Sequence, residues 1–167
     1  MYEFEVVLKK GSRRPVVTKE TAIPNMESVS GESPDMVVDA MRIACRGLDS
    51  YPEEHVYVVA LNARNKVIGY FLLSVGTERV SFVSTRIVFQ KALLVGASSI
   101  ILIHTHPSGD VTASKEDIAV TNALRNAGEV IGVPLLDSII VGDGKIFSFM
   151  AEGMMDCNEM RSDIVAG

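Results

Sequence analysis

Cysteine is nearly absent from this 167-residue chain: Cys45 and Cys157 are the only two, far apart and in no metal-ligand or redox spacing. That excludes a disulfide-stapled scaffold and a cysteine-closed zinc finger, and reads both thiols as small apolar side chains. Long apolar runs are missing too. The longest charge-free apolar stretch, Ala92 to Ile103, is broken by Gly96, Ser98 and Ser99 and falls short of the roughly 18–20 residues that cross a bilayer, so no membrane partner is expected. Met1 is followed by no apolar signal segment, and the simplest expectation is a reduced, cytoplasmic protein. Positive charge is in short supply: 16 Lys and Arg against 21 Asp and Glu give a net charge of −5, which weighs against a protein whose main task is to neutralise phosphates along a nucleic acid.

What is present reads as one folded domain, since 47% hydrophobic against 22% charged residues argues against disorder and the length suits a single core. Tyr2 to Leu8 alternates and then turns apolar, predicting a strand at a sheet edge, followed by the basic turn Lys9, Lys10, Arg13 and Arg14. Thr21 to Ser33 reads as an irregular connection, which places an N-terminal arm over 1–32. Ser33-Pro34 predicts the cap of a helix reaching about Asp49. Glu54 to Leu61 and Val67 to Val75 predict a hairpin across Asn62 to Asn65. A short strand is expected near Arg79 to Val83, then a helix capped by Ser84 and ended by Gly96. Ser98 to His104 is a buried-type strand, Ser114 to Ala127 a helix with Gly128 as terminator, and Leu135 to Val141 with Lys145 to Met150 a second hairpin. The order is mixed α/β over 33–150, leaving 151–167 as a tail that is a short helix or loose.

Two of the three histidines, His104 and His106, are separated by one residue at a strand end, so both imidazoles face the same side and can meet one ion. Ser114 follows after seven residues and Asp117 after two more, in the first turn of the next helix, where a returning loop brings the Asp117 carboxylate beside the imidazoles. Asp110 competes with it as the third ligand. Two neutral histidines and a carboxylate, with a position left for water, is the open arrangement of catalytic zinc. A zinc-bound water still needs an acceptor for its proton, which calls for another carboxylate: Glu54 is the candidate, with Glu53 one residue away as the alternative. Ser114 and Asp117 also form the pattern of a helix capping box, a purely structural device, and Ser114 can combine that with donating to an oxyanion.

His104-Thr105-His106-Pro107 through Ser114 and Asp117 resembles the JAMM (MPN+) metalloprotease motif. The longer run His104 to Asp110, with Leu136-Asp137-Ser138-Ile139-Ile140-Val141-Gly142-Asp143-Gly144 downstream, resembles RadC-type bacterial proteins, a family named for DNA repair. The likeness covers roughly Ser33 to Met150. It implies a JAMM/MPN-like, cytidine-deaminase-like mixed sheet flanked by helices, one catalytic Zn²⁺ on His104, His106 and Asp117, Glu54 at the position of the catalytic glutamate, and Ser114 stabilising the tetrahedral intermediate. Thr105 stands where RadC-type proteins usually carry Asn, Val111 and Ala113 where they carry prolines, and Val56 where an aromatic is usual. The stretch before Glu53 holds no helix-hairpin-helix pattern of the kind that precedes the domain in longer relatives, so the chain reads as a short, stand-alone version.

The expected function is a zinc-dependent hydrolase cleaving a peptide or isopeptide amide, with a protein or peptide substrate as partner. Two other classes compete. One is a DNA-associated protein using the Lys9 to Arg14 cluster, for which affinity would fall steeply with salt. The other is a metal-stabilised binding module that adds a partner strand to its sheet edge and is indifferent to chelators.

Overall fold

The structure, a computed structural model, describes residues 1–12, 14–22, 29–45, 48–76 and 83–155. Among the described residues seven strands and three helices follow one another: β1 (Tyr2–Leu8), β2 (Pro15–Ala22), α1 (Pro34–Ala44), β3 (Glu54–Leu61), β4 (Val67–Gly76), α2 (Thr85–Leu94), β5 (Ser99–Thr105), α3 (Lys115–Ile131), β6 (Leu135–Gly142) and β7 (Lys145–Ser148). The strands form one mixed sheet in the order β2-β1-β4-β3-β5-β6-β7, with β1 parallel to β4, β5 parallel to β6, and the other neighbours antiparallel.

The apolar run Ile100-Ile101-Leu102-Ile103 makes β5 the central buried strand, and all seven of its residues are inaccessible. Period-two alternation splits its side chains between two cores. Ile101 and Ile103 join Tyr57, Val59 and Leu61 on the face that α1 covers with Val37, Val38 and Met41. Ile100 and Leu102 join Val56, Val58 and Ala60 on the face that α2 and α3 cover with Val88, Phe89, Ala92 and Leu124. Cys45 sits half-buried beside the first core, hydrogen-bonded to Tyr70 and Tyr57, and burial pushes its thiol up. It is a packed thiol, as its neighbours in sequence suggest; Cys157 lies outside the described residues.

Several boundaries differ from those expected, each for a local reason. β1 is not the edge: the chain turns back at the basic turn to form β2, a strand absent from the sequence expectation, and β2 takes the outer position. β1 itself hydrogen-bonds to β4 through Tyr2↔Gly69 and Glu3↔Tyr70, so it enters the same sheet as the rest of the chain. α1 starts as expected, with Ser33 Oγ accepting from the Met36 N–H, but it stops a turn early at Ala44, where Cys45 leaves helical geometry. Asp49 instead reaches back to pair with Arg42 at 2.9 Å.

α3 runs straight through Gly128 and ends at Gly132, whose φ of 79° supplies the left-handed cap. Gly128 is inside the helix because the chain passes too close for a side chain: a Cβ there would lie 2.7 Å from the Val133 carbonyl oxygen. β7 ends at Ser148 rather than Met150, and residues 149–155 form turns. The strand expected near Arg79 to Val83 and most of the C-terminal tail lie outside the described residues. No helix among the described residues is long and apolar enough to cross a membrane.

Candidate metal centre

The sheet places the chemistry-bearing residues at one end. His104 continues the stripe begun by Ile100 and Leu102 on the α2/α3 face of β5, and the register pairs it with Val56 of β3. Glu54, two residues before Val56, therefore faces the same side. α3 begins just beyond the loop that follows β5, and its third residue, Asp117, is buried against His104. Glu54, His104, His106, Ser114 and Asp117 all line one cleft of about 610 Å³, together with Pro52, Gly76 and Pro107. Glu53 does not line it; its carbonyl accepts instead from Nδ1 of His55.

The hydrogen bonds fix the tautomer of each imidazole. His106 Nδ1 lies 2.6 Å from the Asp110 carbonyl oxygen and His104 Nδ1 lies 3.0 Å from Asp117 Oδ1. Both oxygens only accept, so each Nδ1 carries a hydrogen, and in the neutral imidazole that leaves the lone pair, which a metal takes, on Nε2. His104 Nε2 is fully buried and has no hydrogen-bond partner. It faces Glu54 Oε2 at 3.3 Å. Two acceptors held that close call for a positive group between them, either a proton or a metal ion. The donor atoms of Glu54, His104 and His106 all lie within 4.8 Å of one another, so the group can hold a metal ion, and the nitrogen and oxygen donors suit a borderline divalent cation.

Asp117 stands differently from the expected ligand. It touches His104 through Nδ1, the nitrogen away from Glu54, and its Oδ2 lies 3.8 Å from His106 Nε2. Oδ2 also accepts from the Ser114 hydroxyl at 2.6 Å and from the Ser114 N–H at 2.8 Å, while the Asp117 N–H donates to Ser114 Oγ at 3.1 Å. The capping box and the site are thus one structure, and in it the Ser114 proton is committed to Asp117. Asp110, the competing ligand, is exposed and turns its carboxylate to the Thr112 N–H, so it contributes only its carbonyl to the site.

Burial by itself raises the Asp117 carboxyl, but the hydrogen bonds from His104 and Ser114 outweigh it and hold the group at about 2. A folded-state value below the unfolded one adds stability above the ordinary carboxyl range, and that stability is lost as pH falls towards 2. The metal-free protein is therefore expected to lose about 2 kcal/mol from this group between about pH 5 and pH 2. Urea denaturation across that range should show a flatter limb for Asp117→Asn than for the parent; parallel limbs would contradict the assignment.

Two glycines that sequence reasoning did not single out also serve the site. A Cβ on Gly142 would lie 2.9 Å from the His106 carbonyl oxygen and 3.1 Å from the Gly109 Cα, and a Cβ on Gly109 would lie 2.9 Å from the Asp143 Cβ. The His106 loop rests on the β6–β7 turn at backbone distance, and the His106 N–H donates to the Val141 carbonyl at 2.8 Å. The signal was available in the downstream stretch Leu136 to Gly144, whose glycine spacing marks close backbone approach.

A sequence model for the RadC-like JAB domain matches residues 32–154. Among curated proteins, a UPF0758 protein of Caldanaerobacter subterraneus subsp. tengcongensis is 42% identical over 130 residues, covering 78% of this chain and 54% of the relative. A UPF0758 protein of Clostridium acetobutylicum is 41% identical over 134 residues, covering 80% of this chain and 57% of the relative. Another, from Desulforamulus reducens, is 40% identical over 134 residues, covering 80% and 58%. The chain spans a little over half the length of these relatives, and their names state no activity. JAB domains are associated with metal-dependent hydrolysis, and the matched residues include the His-x-His strand end and the five strands β3 to β7 of the mixed sheet. The chain belongs to the RadC-like JAB domain family.

Proposed function

We propose that this protein is a zinc-dependent hydrolase that cleaves a peptide or isopeptide amide, with His104, His106 and Asp117 holding the ion, Glu54 acting as general base and Ser114 supporting the oxyanion. The observation that carries the reading is the buried, unpartnered Nε2 of His104 facing a carboxylate in an open cleft. Such an atom is costly unless something binds it. When bound, zinc supplies Lewis acidity and lowers the pKa of a water towards about 7.

The chain's own groups do the rest. Glu54 accepts a proton from the attacking water and, as a carboxylic acid, returns it to the leaving nitrogen, so one group serves both halves of amide cleavage. Ser114 reaches the oxyanion by releasing its hydroxyl from Asp117 Oδ2, which the Ser114 N–H continues to hold. A polypeptide is the partner that this reaction requires.

The test is metal content. Purified protein is expected to carry one zinc per chain by elemental analysis, and His104→Ala is expected to carry none while remaining folded by circular dichroism. Equal zinc in both proteins would remove the basis of the reading.

A further inference from the structure

We propose that Thr105 is a positioning residue of this site: its hydroxyl, acting through the backbone of His55, holds Glu54 in register against His104. The inference rests on the hydrolase reading, in which Glu54 moves the proton.

Thr105 sits between the two imidazole-bearing residues, and strand alternation sends its side chain to the opposite face of the sheet. There it meets His55, the residue after Glu54, which alternation sends to the same side. The ladder between β3 and β5 ends at Val56↔His104. Beyond that pair the His55 N–H, a buried donor, is taken by Thr105 Oγ1 at 2.9 Å. The two strand ends are thus held together on the α1 face by a side chain where the regular backbone ladder has stopped. On the other face the same two segments carry Glu54 and His104, 3.3 Å apart.

His55 extends the hold to the segment before it. Its Nδ1 pairs with the Glu53 carbonyl at 3.0 Å, and its ring stacks on Tyr51 with centroids 4.4 Å apart. The Tyr57 ring lies 6.0 Å from that of His55, nearly parallel to it. Glu54 therefore enters the cleft from a backbone fixed on both sides, and at that level the Thr105 hydroxyl ties β5 to the backbone of β3. A hydroxyl one residue from each imidazole thereby controls the distance between the base and the metal-binding atoms, without touching substrate or metal.

Thr105→Val keeps the shape and removes the acceptor; Thr105→Ser keeps the acceptor. Both would be compared with the parent as zinc-loaded proteins on quenched fluorescent peptides, one linear and one branched through a lysine side chain, and as metal-free proteins by amide hydrogen exchange. Thr105→Val is expected to bind zinc at the parent's stoichiometry and to lose about 10- to 100-fold in kcat with KM changed less than about 2-fold, because misplacing a base acts on the chemical step. Exchange at the Glu54 and His55 amides should speed up in Thr105→Val, and Thr105→Ser should restore both kcat and protection.

An unchanged kcat, unchanged exchange, or loss of zinc in Thr105→Val would each overturn the proposal, the last because the hydroxyl would then serve the ligand strand rather than Glu54. Should the parent cleave neither peptide while holding zinc, the hydrolase reading fails on its own account, and the hold on Glu54 is judged by the exchange of the two amides.

Discussion

Glu54→Gln is expected to keep a stoichiometric zinc and to lose about 10²- to 10⁴-fold in hydrolysis, the usual worth of a positioned general base. Asp117→Asn is expected to do the reverse at the level of binding, releasing zinc by about 10- to 100-fold in affinity and losing activity only in proportion to the metal lost. The contrast matters because both carboxylates touch the same imidazole. Glu54 faces His104 Nε2 and Asp117 faces Nδ1. Either one completes a set of two imidazoles and a carboxylate, and the three donor atoms that lie within 4.8 Å of one another include Glu54. In Glu54→Gln the new amide has the size of the carboxylate but cannot accept the proton, and it leaves the lone pair of His104 Nε2 to the ion. In Asp117→Asn the new amide lacks the charge that His104 Nδ1 and Ser114 both point at. Elemental analysis beside cleavage of the linear and branched peptides separates the roles. Zinc lost from Glu54→Gln and kept in Asp117→Asn would exchange the two assignments, and full activity in Glu54→Gln would dismiss Glu54 as the base.

The residues gathered in the cleft are legible in the sequence because two periodicities agree. A two-residue spacing on a strand and a cap-plus-three spacing at a helix start each fix where a side chain points, so His104, His106, Ser114 and Asp117 can be brought together from spacing alone. Which nitrogen of His104 meets which carboxylate is not legible, since that depends on ring orientation set by three segments at once. Thr105 is visible only as a departure from the family pattern; its role depends on β3 and β5 ceasing to pair one residue earlier. The end of α3 is misleading because Gly128 looks like a terminator locally, whereas the approach of Val133 makes glycine necessary inside the helix. β2 escapes a pattern search because the flanking basic turn and the polar residues Thr18, Lys19, Glu20 and Thr21 carry little hydrophobic alternation. An outer strand needs little, since only one of its edges pairs.

Asp137→Ala is expected to cost about 3 kcal/mol, lowering Tm by about 6–12 °C in a chain of this size, while Asp137→Asn costs about 1 kcal/mol or less. Asp137 is the buried anchor of the segment after β7. Its Oδ1 accepts from the Ser138 N–H at 2.8 Å and the Met150 N–H at 2.9 Å, and its Oδ2 accepts from the Ser148 hydroxyl at 2.6 Å. Alanine leaves two backbone donors without an acceptor. Burial nevertheless pushes the carboxyl above its ordinary range, against those three bonds. The folded state therefore holds this proton more tightly than the unfolded chain does, and the stability it contributes falls as pH rises from the ordinary carboxyl value through the raised one. At neutral pH the charge opposes folding while the oxygens favour it. Asparagine keeps the acceptor that Ser138 and Met150 use and drops the charge, at the expense of the bond from Ser148. Thermal melts of the three proteins at neutral pH, with chelator and with saturating zinc, read both effects. Zinc should raise every Tm by mass action and leave the order of the variants unchanged, because Asp137 lies at the opposite end of β6 from the turn that supports His106. An asparagine variant as damaged as the alanine one would mean that the charge, rather than the acceptor oxygens, holds this corner of the fold.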